Sequence, residues 1–285
     1  MPVTTSENIE TPSGKGAGDE NFPVGSFLLP KSLRPHVAVY YAFARAADDI
    51  ADNPALEPHD KVDRLEAFDR AVTGQCGADD PARAKAHAVR RSFLQTGVHL
   101  DHARDLLSAF KQDAVKTRYD SWDDLIDYCN RSAAPVGRFL LELHGEDRAR
   151  FTWSDPLCNA LQVLNHLQDC AEDYDQMDRV YLPGDWMAEN NVTVDDLKAA
   201  HSSSGLRRVI DRCLGETSKL LKDAEKLPGN LSSRRLAMES AIIVRIAKRL
   251  TAKLQQQDPV KMRVELSKTE FVSCSMRGAL SGILK

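Results

Sequence analysis

The chain has 285 residues, 42% of them hydrophobic, enough to bury a substantial core in one large domain or two small ones. Its formal charge is −4, from 38 basic and 42 acidic residues, which argues against a nucleic-acid partner, because that calls for a strongly basic face. No run of about 18 apolar residues occurs, so no membrane span is expected. Six scattered cysteines without a CxxC pair read as the reduced thiols of a cytoplasmic protein.

Residues 1–21 are polar, rich in Gly, Ser and Thr, and lack the apolar core of a secretory signal; they read as a disordered tail. Residues 22–285 read as one all-α domain. Apolar residues recur at helical spacing, and helices are expected over 31–52, 59–73, 81–97, 99–112, 121–145, 155–177, 193–201, 204–225, 230–256 and 259–283. Ser121 with Asp124, and Thr193 with Asp196, place a cap and an acid at helix starts. Asp155-Pro156 reads as a cap before a first-turn proline. "DNP" (52–54) and "LPG" (182–184) read as stops, and Pro135-Val136-Gly137 as a kink inside a helix. The terminal "GALSGILK" is short and apolar, and allows peripheral contact with a membrane.

Two acid clusters stand out. "FARAADDIAD" (43–52) puts Asp48, Asp49 and Asp52 at the end of an apolar helix. In "NHLQDCAEDYD" (165–175), Asp169 and Asp173 lie one turn apart. Gln162, Asn165, Asp169 and Asp173 step by three, four and four, so they share one stripe. A single acidic turn is usually a solvated face. Two such turns beside apolar sequence are expected to meet across an apolar chamber, where buried carboxylates need cations. Oxygen donors without His or Cys favour Mg²⁺, which binds through few carboxylates plus substrate phosphates. The implied ligand is a diphosphate with a greasy body. His166 reads as a packing residue, and Lys116 and Arg118 as either phosphate-facing or solvated. No GxGxxG or GxxxxGK[ST] occurs, so NADPH is not expected.

"SFLLP" (26–30), "YAFARAADDIAD" (41–52), "YCNRSAAPVGR" (128–138), "LQVLNHLQDCAEDYDQMDRVYLP" (161–183) and "DPVKMRVELSKTEF" (258–271) resemble, in this order, the squalene/phytoene synthase family. The resemblance covers about residues 21–283. It implies an isoprenoid synthase helical bundle with a central cavity, and about two or three diphosphate-bridged Mg²⁺ ions. By the match, Asp48, Asp49 and Asp52 form the first metal motif, and Asp169 and Asp173 the second. Arg45 would grip diphosphate oxygens, with Tyr41 orienting it. Ser26 and Phe27 would border the pocket, Tyr128, Gln162 and Asn165 would line it near the reacting carbons, and Tyr181 would lie near the diphosphate. The catalytic set is then Asp48, Asp52, Asp169, Asp173, Arg45 and Tyr128.

Within the family the segments are most similar to the bacterial branch of the hopanoid route, which ionises presqualene diphosphate and captures the rearranged cation with water. The alternatives are head-to-head condensation of two prenyl diphosphates and a non-catalytic helical assembly protein. Gly25 and Gln168 stand where many relatives carry a cation, which fits a substrate with one diphosphate. Ala134 is a further departure. The expected partners are an isoprenoid diphosphate and pathway enzymes, with the protein cytoplasmic or peripheral to the inner membrane.

Overall fold

A computed structural model describes residues 29–77 and 80–283, so the tail, Ser26 and Phe27 lie outside the described residues. The chain forms two compact units, one ending at Lys116 and the other beginning at Thr117.

The first unit holds α1 (Arg34–Ala51), α2 (Pro58–Thr73), α3 (Ala84–Thr96) and α4 (Asp101–Asp113). Helix α1 packs against the other three. Its buried face, Val37, Tyr40, Phe43, Ala47 and Ile50, follows the three-and-four spacing. Phe43 lies 6.0 Å from Phe68 of α2, and Tyr40 5.3 Å from Phe93 of α3, ring to ring. The buried Tyr40 hydroxyl donates to the His102 carbonyl at 2.9 Å. After Asp52 the chain turns, with the Asn53 side chain accepting from the Ala55 N–H, so "DNP" is a stop.

The second unit holds β1 (Arg118–Tyr119), α5 (Trp122–Ser132), α6 (Ala134–Leu143), α7 (Phe151–Gln168), α8 (Cys170–Met177), β2 (Val180–Pro183), α9 (Gly184–Glu189), α10 (Ser204–Ala224), α11 (Arg234–Leu254) and α12 (Lys268–Ile283). Helix α7 is its centre, packed against α5, α6, α10 and α11. Gly137 of α6 allows α7 to come close, since a Cβ there would sit 2.5 Å from Ser154 Oγ and 2.6 Å from Cys158 Sγ. The all-α reading holds. The only sheet among the described residues is the short parallel pair β1–β2, with Arg118 opposite Val180.

Several boundaries differ from the sequence reading, each for a physical reason. The helix expected over 121–145 is two helices. Ser121 caps α5, accepting from Asp124 N–H at 3.3 Å, but Pro135 has no N–H to return to the Arg131 carbonyl. A new helix therefore starts at Ala134, with Pro135 in its first turn rather than at an internal kink. The helix expected over 155–177 begins at Phe151 and contains Pro156. Asp155 is no cap: it takes both arms of Arg138 at 2.9 and 2.8 Å. Thr193 and Asp196 do form a capping box, but on a 3₁₀ turn, Val194–Lys198. "LPG" is not a stop; it completes β2 and opens α9. Residues 259–267 are not helical. Asp258 holds the chain there by accepting from Ser202 N–H (2.7 Å) and Val260 N–H (3.1 Å). Ser267 and Glu270 then make the reciprocal cap that starts α12.

Candidate active site

The first acid cluster occupies the last two turns of α1. Arg45 is three and four residues before Asp48 and Asp49, and its guanidinium meets both, at 3.1 and 3.0 Å. Asp49 turns inward and is buried, held also by Arg45 Nε at 3.1 Å. Asp48 and Asp52 are half-buried, one turn apart, and the Asp52 N–H donates to the Asp48 carbonyl. Burial and the neighbouring acids, Asp52 before Asp113 and Asp49, push the Asp48 carboxyl up to about 7, against the pull of Arg45. Asp113, buried at the end of α4, was not among the residues singled out from sequence. Tyr41 lies half-buried one turn before Arg45.

No three carboxylate, His or Cys side chains converge on a ready-made metal position among the described residues. The donor chemistry nevertheless fits a hard divalent cation. The cluster offers only oxygen ligands, and burial and the neighbouring acids raise the Asp48 carboxyl even with Arg45 beside it, an environment that a bound cation would relieve. Mg²⁺ needs few protein ligands when waters and phosphates complete its shell.

The second cluster lies where α7 passes into α8. Asp169 breaks the regular helix (φ −104°, ψ 5°). Yet Asp169 N–H donates to the Asn165 carbonyl (3.0 Å) and Asp173 N–H to the Asp169 carbonyl (2.8 Å), so the four-residue register runs on. Gln162, Asn165, Asp169 and Asp173 are all half-buried, between flanks that are largely buried. Arg263, from the loop before α12, places Nη1 2.6 Å from Asp169 Oδ1 and Nε 2.9 Å from Glu265. Gln168 is buried and donates to the Val264 carbonyl at 2.7 Å. The positive charge at Asp169 thus comes from Arg263 and not from position 168. Nothing local in the sequence marks this pairing.

Beside the stripe is an aromatic cluster. His166 stacks on Tyr181 with centroids 3.5 Å apart. Tyr128 lies 5.8 Å from Tyr181 and 6.1 Å from His166, and Tyr119 5.4 Å from Tyr181. Gln162 Nε2 approaches His166 Nε2 at 3.2 Å, where the amide donates to an unprotonated ring nitrogen. Burial, and then the buried Arg179, lower the His166 pKa to about 3, so the ring is neutral. Tyr128, Gln162 and Tyr181 are thereby brought together around His166. Arg118 braces β1 onto the turn after α8, bonding both the Asp178 carbonyl and its carboxylate.

The squalene/phytoene synthase family profile matches residues 16–270. The chain belongs to that family. It is 42% identical to the hydroxysqualene synthase of Zymomonas mobilis over 94% of this chain and 89% of that one. It is 40% identical to the hydroxysqualene synthase of Rhodopseudomonas palustris over 95% and 91%. Among solved structures it is similar to squalene synthase HpnC from Alicyclobacillus acidocaldarius, with a TM-score of 0.71 and 32% identity over 82% of this chain and 87% of that one. The family resemblance in the sequence motifs and the helical fold therefore agree.

Proposed function

We propose that this protein converts presqualene diphosphate to hydroxysqualene and inorganic diphosphate. The observation that carries the reading is the identity of 37–42% to hydroxysqualene synthases over at least 89% of the chain, against 29% to the phytoene synthase of Thermus thermophilus. In the proposed step the C–O bond to diphosphate breaks and the leaving group keeps the electron pair. The cyclopropylcarbinyl cation rearranges, a water oxygen forms the new C–O bond, and that water loses a proton.

Asp48, Asp52, Asp169 and Asp173 are proposed to hold Mg²⁺, with Asp49 keeping Arg45 in place. Mg²⁺ bound there would neutralise charge building on the diphosphate. Arg45 and Arg263, each already lying on a cluster carboxylate, donate to phosphate oxygens. Ser26, Phe27 and Tyr41 are assigned to the rim of the pocket. Tyr128, Tyr181, Gln162 and Asn165 form a wall beside the reacting carbons. Aromatic faces stabilise a passing cation, and a neutral His166 adds no repulsive charge. No reductant enters this reaction, and a cytoplasmic location suits it.

Purified protein with Mg²⁺ should yield hydroxysqualene from presqualene diphosphate, with or without NADPH, and no C30 product from farnesyl diphosphate. Formation of presqualene diphosphate from farnesyl diphosphate would replace this reading with head-to-head condensation. Folded protein that turns over neither substrate would leave a non-catalytic family member.

A further inference from the structure

Helix α8 carries Asp173, yet it is only eight residues long. Two turns of helix do not hold themselves in water, and the regular helix breaks just before them, at Asp169. What fixes α8 is therefore tertiary. Of its residues only Cys170 and Tyr174 are buried. They lie four apart and form one stripe. Asp169 and Asp173 each precede a member of that stripe by one residue, so they form a second stripe about 100° round the helix. Seating the first stripe aims the second.

Tyr174 is held on three sides. Its hydroxyl donates to Asp195 Oδ1 at 3.0 Å. Two cations lie over its ring: Lys198 Nζ is 4.8 Å from the ring centre, and the Arg118 guanidinium 5.6 Å. Each cation is itself tied down. Lys198 Nζ is 3.5 Å from Asp195, and Arg118 bonds the carbonyl and the carboxylate of Asp178. Asp178 ends α8 in the left-handed region, at φ 52°, and its N–H donates to the Tyr174 carbonyl. Asp195 belongs to the 3₁₀ turn that the Thr193–Asp196 box closes and that buried Leu197 anchors. One phenol ring thus joins three segments remote in sequence: β1, α8 and the 194–198 turn.

We propose that Tyr174 is a positioning residue of the second acid cluster: held by Asp195, Lys198 and Arg118, it sets the rotation of α8 and so aims Asp173, beside Asp169, at a diphosphate-bound divalent cation. The inference rests on the metal role proposed above for Asp173. The two kinds of contact divide the work. Attraction of a cation to a ring face tolerates sliding, whereas the hydroxyl bond to Asp195 fixes the ring's angle. A residue that only stabilised the fold would lower the melting temperature and leave the metal affinity of the folded protein unchanged. A positioning residue changes that affinity in protein that is fully folded.

The test is binding of Mn²⁺, a paramagnetic stand-in for Mg²⁺ at oxygen ligands, to the full chain with inorganic diphosphate present. Free Mn²⁺ is read by electron paramagnetic resonance, at a temperature where circular dichroism shows each variant folded. Loss of a group that orients a metal ligand from outside typically weakens affinity by about tenfold or more. Tyr174→Leu should therefore bind Mn²⁺ about tenfold more weakly than the parent. Tyr174→Phe, which keeps the ring beneath both cations, should lose less. Asp173→Asn is the reference for losing the ligand itself. Parent affinity in folded Tyr174→Leu, beside weakened binding in Asp173→Asn, overturns this inference alone. Parent affinity in Asp173→Asn overturns the metal assignment and the inference with it. If Tyr174→Leu does not fold, Tyr174→Phe carries the test, and an affinity equal to the parent's overturns the proposal.

Discussion

The stacked, buried His166 makes a quantitative prediction about acid stability. Its pKa lies near 3 in the folded protein against 6.5 when unfolded. Below pH 6.5 the unfolded chain therefore takes up a proton that the folded chain refuses. The sign follows: this site's stability is fully present above 6.5 and is lost as pH falls towards 3. Between pH 8 and pH 5 the loss from this one group is about 2 kcal/mol. The assay is urea unfolding followed by tryptophan fluorescence. Trp122, Trp153 and Trp186 are the only tryptophans and all lie in the second unit, so the signal reports the unit that contains His166. His166→Phe keeps a ring against Tyr181 and removes the titration. The parent should lose about 2 kcal/mol more than this variant over the same pH interval. Parallel pH dependences would show that the ring is reached by water or carries a proton when folded. The neutral wall invoked beside the reacting carbons would then have no basis.

Other tests bear on the acids and on the seams of the fold. Asp48→Asn and Asp169→Asn should each lower turnover of presqualene diphosphate by about a hundredfold or more with an unchanged circular dichroism spectrum; full turnover in both would remove their assigned role. Buried Glu146 accepts from the Ser232 and Ser233 N–H groups at 3.0 and 2.7 Å, at the start of α11. Glu146→Ala should therefore cost about 1–3 kcal/mol in the same urea assay. Gly278→Leu cannot fit beside Ile242 without parting α11 from α12; limited proteolysis should then cut α12 early while the remainder of the second unit resists.

Much of the local arrangement of the candidate site is legible in the sequence because its spacing is local. Four-residue steps put Asp48 above Asp52 and Asp169 above Asp173, and the helical register carries the second pair across the break at Asp169. The Ser121 cap is local in the same sense. What escapes a local reading is set by partners far along the chain. Asp155 looks like a cap until Arg138, 17 residues away, claims both its oxygens. Residues 259–267 read as helix from their spacing until Ser202, 56 residues away, donates to Asp258 and holds the chain in a loop. The β1–β2 pair is too short for any period to show, and its strands are joined across more than 60 residues. Arg263 reaches Asp169 from the loop that Asp258 creates, so reading residues 259–267 as helix also hides that ion pair. The unexpected loop and the unexpected ion pair thus have one cause: a distant donor fixes Asp258, and the loop held there delivers a cation to the second acid cluster. Propensity rules fail here because charge pairing across the fold outweighs the local preference.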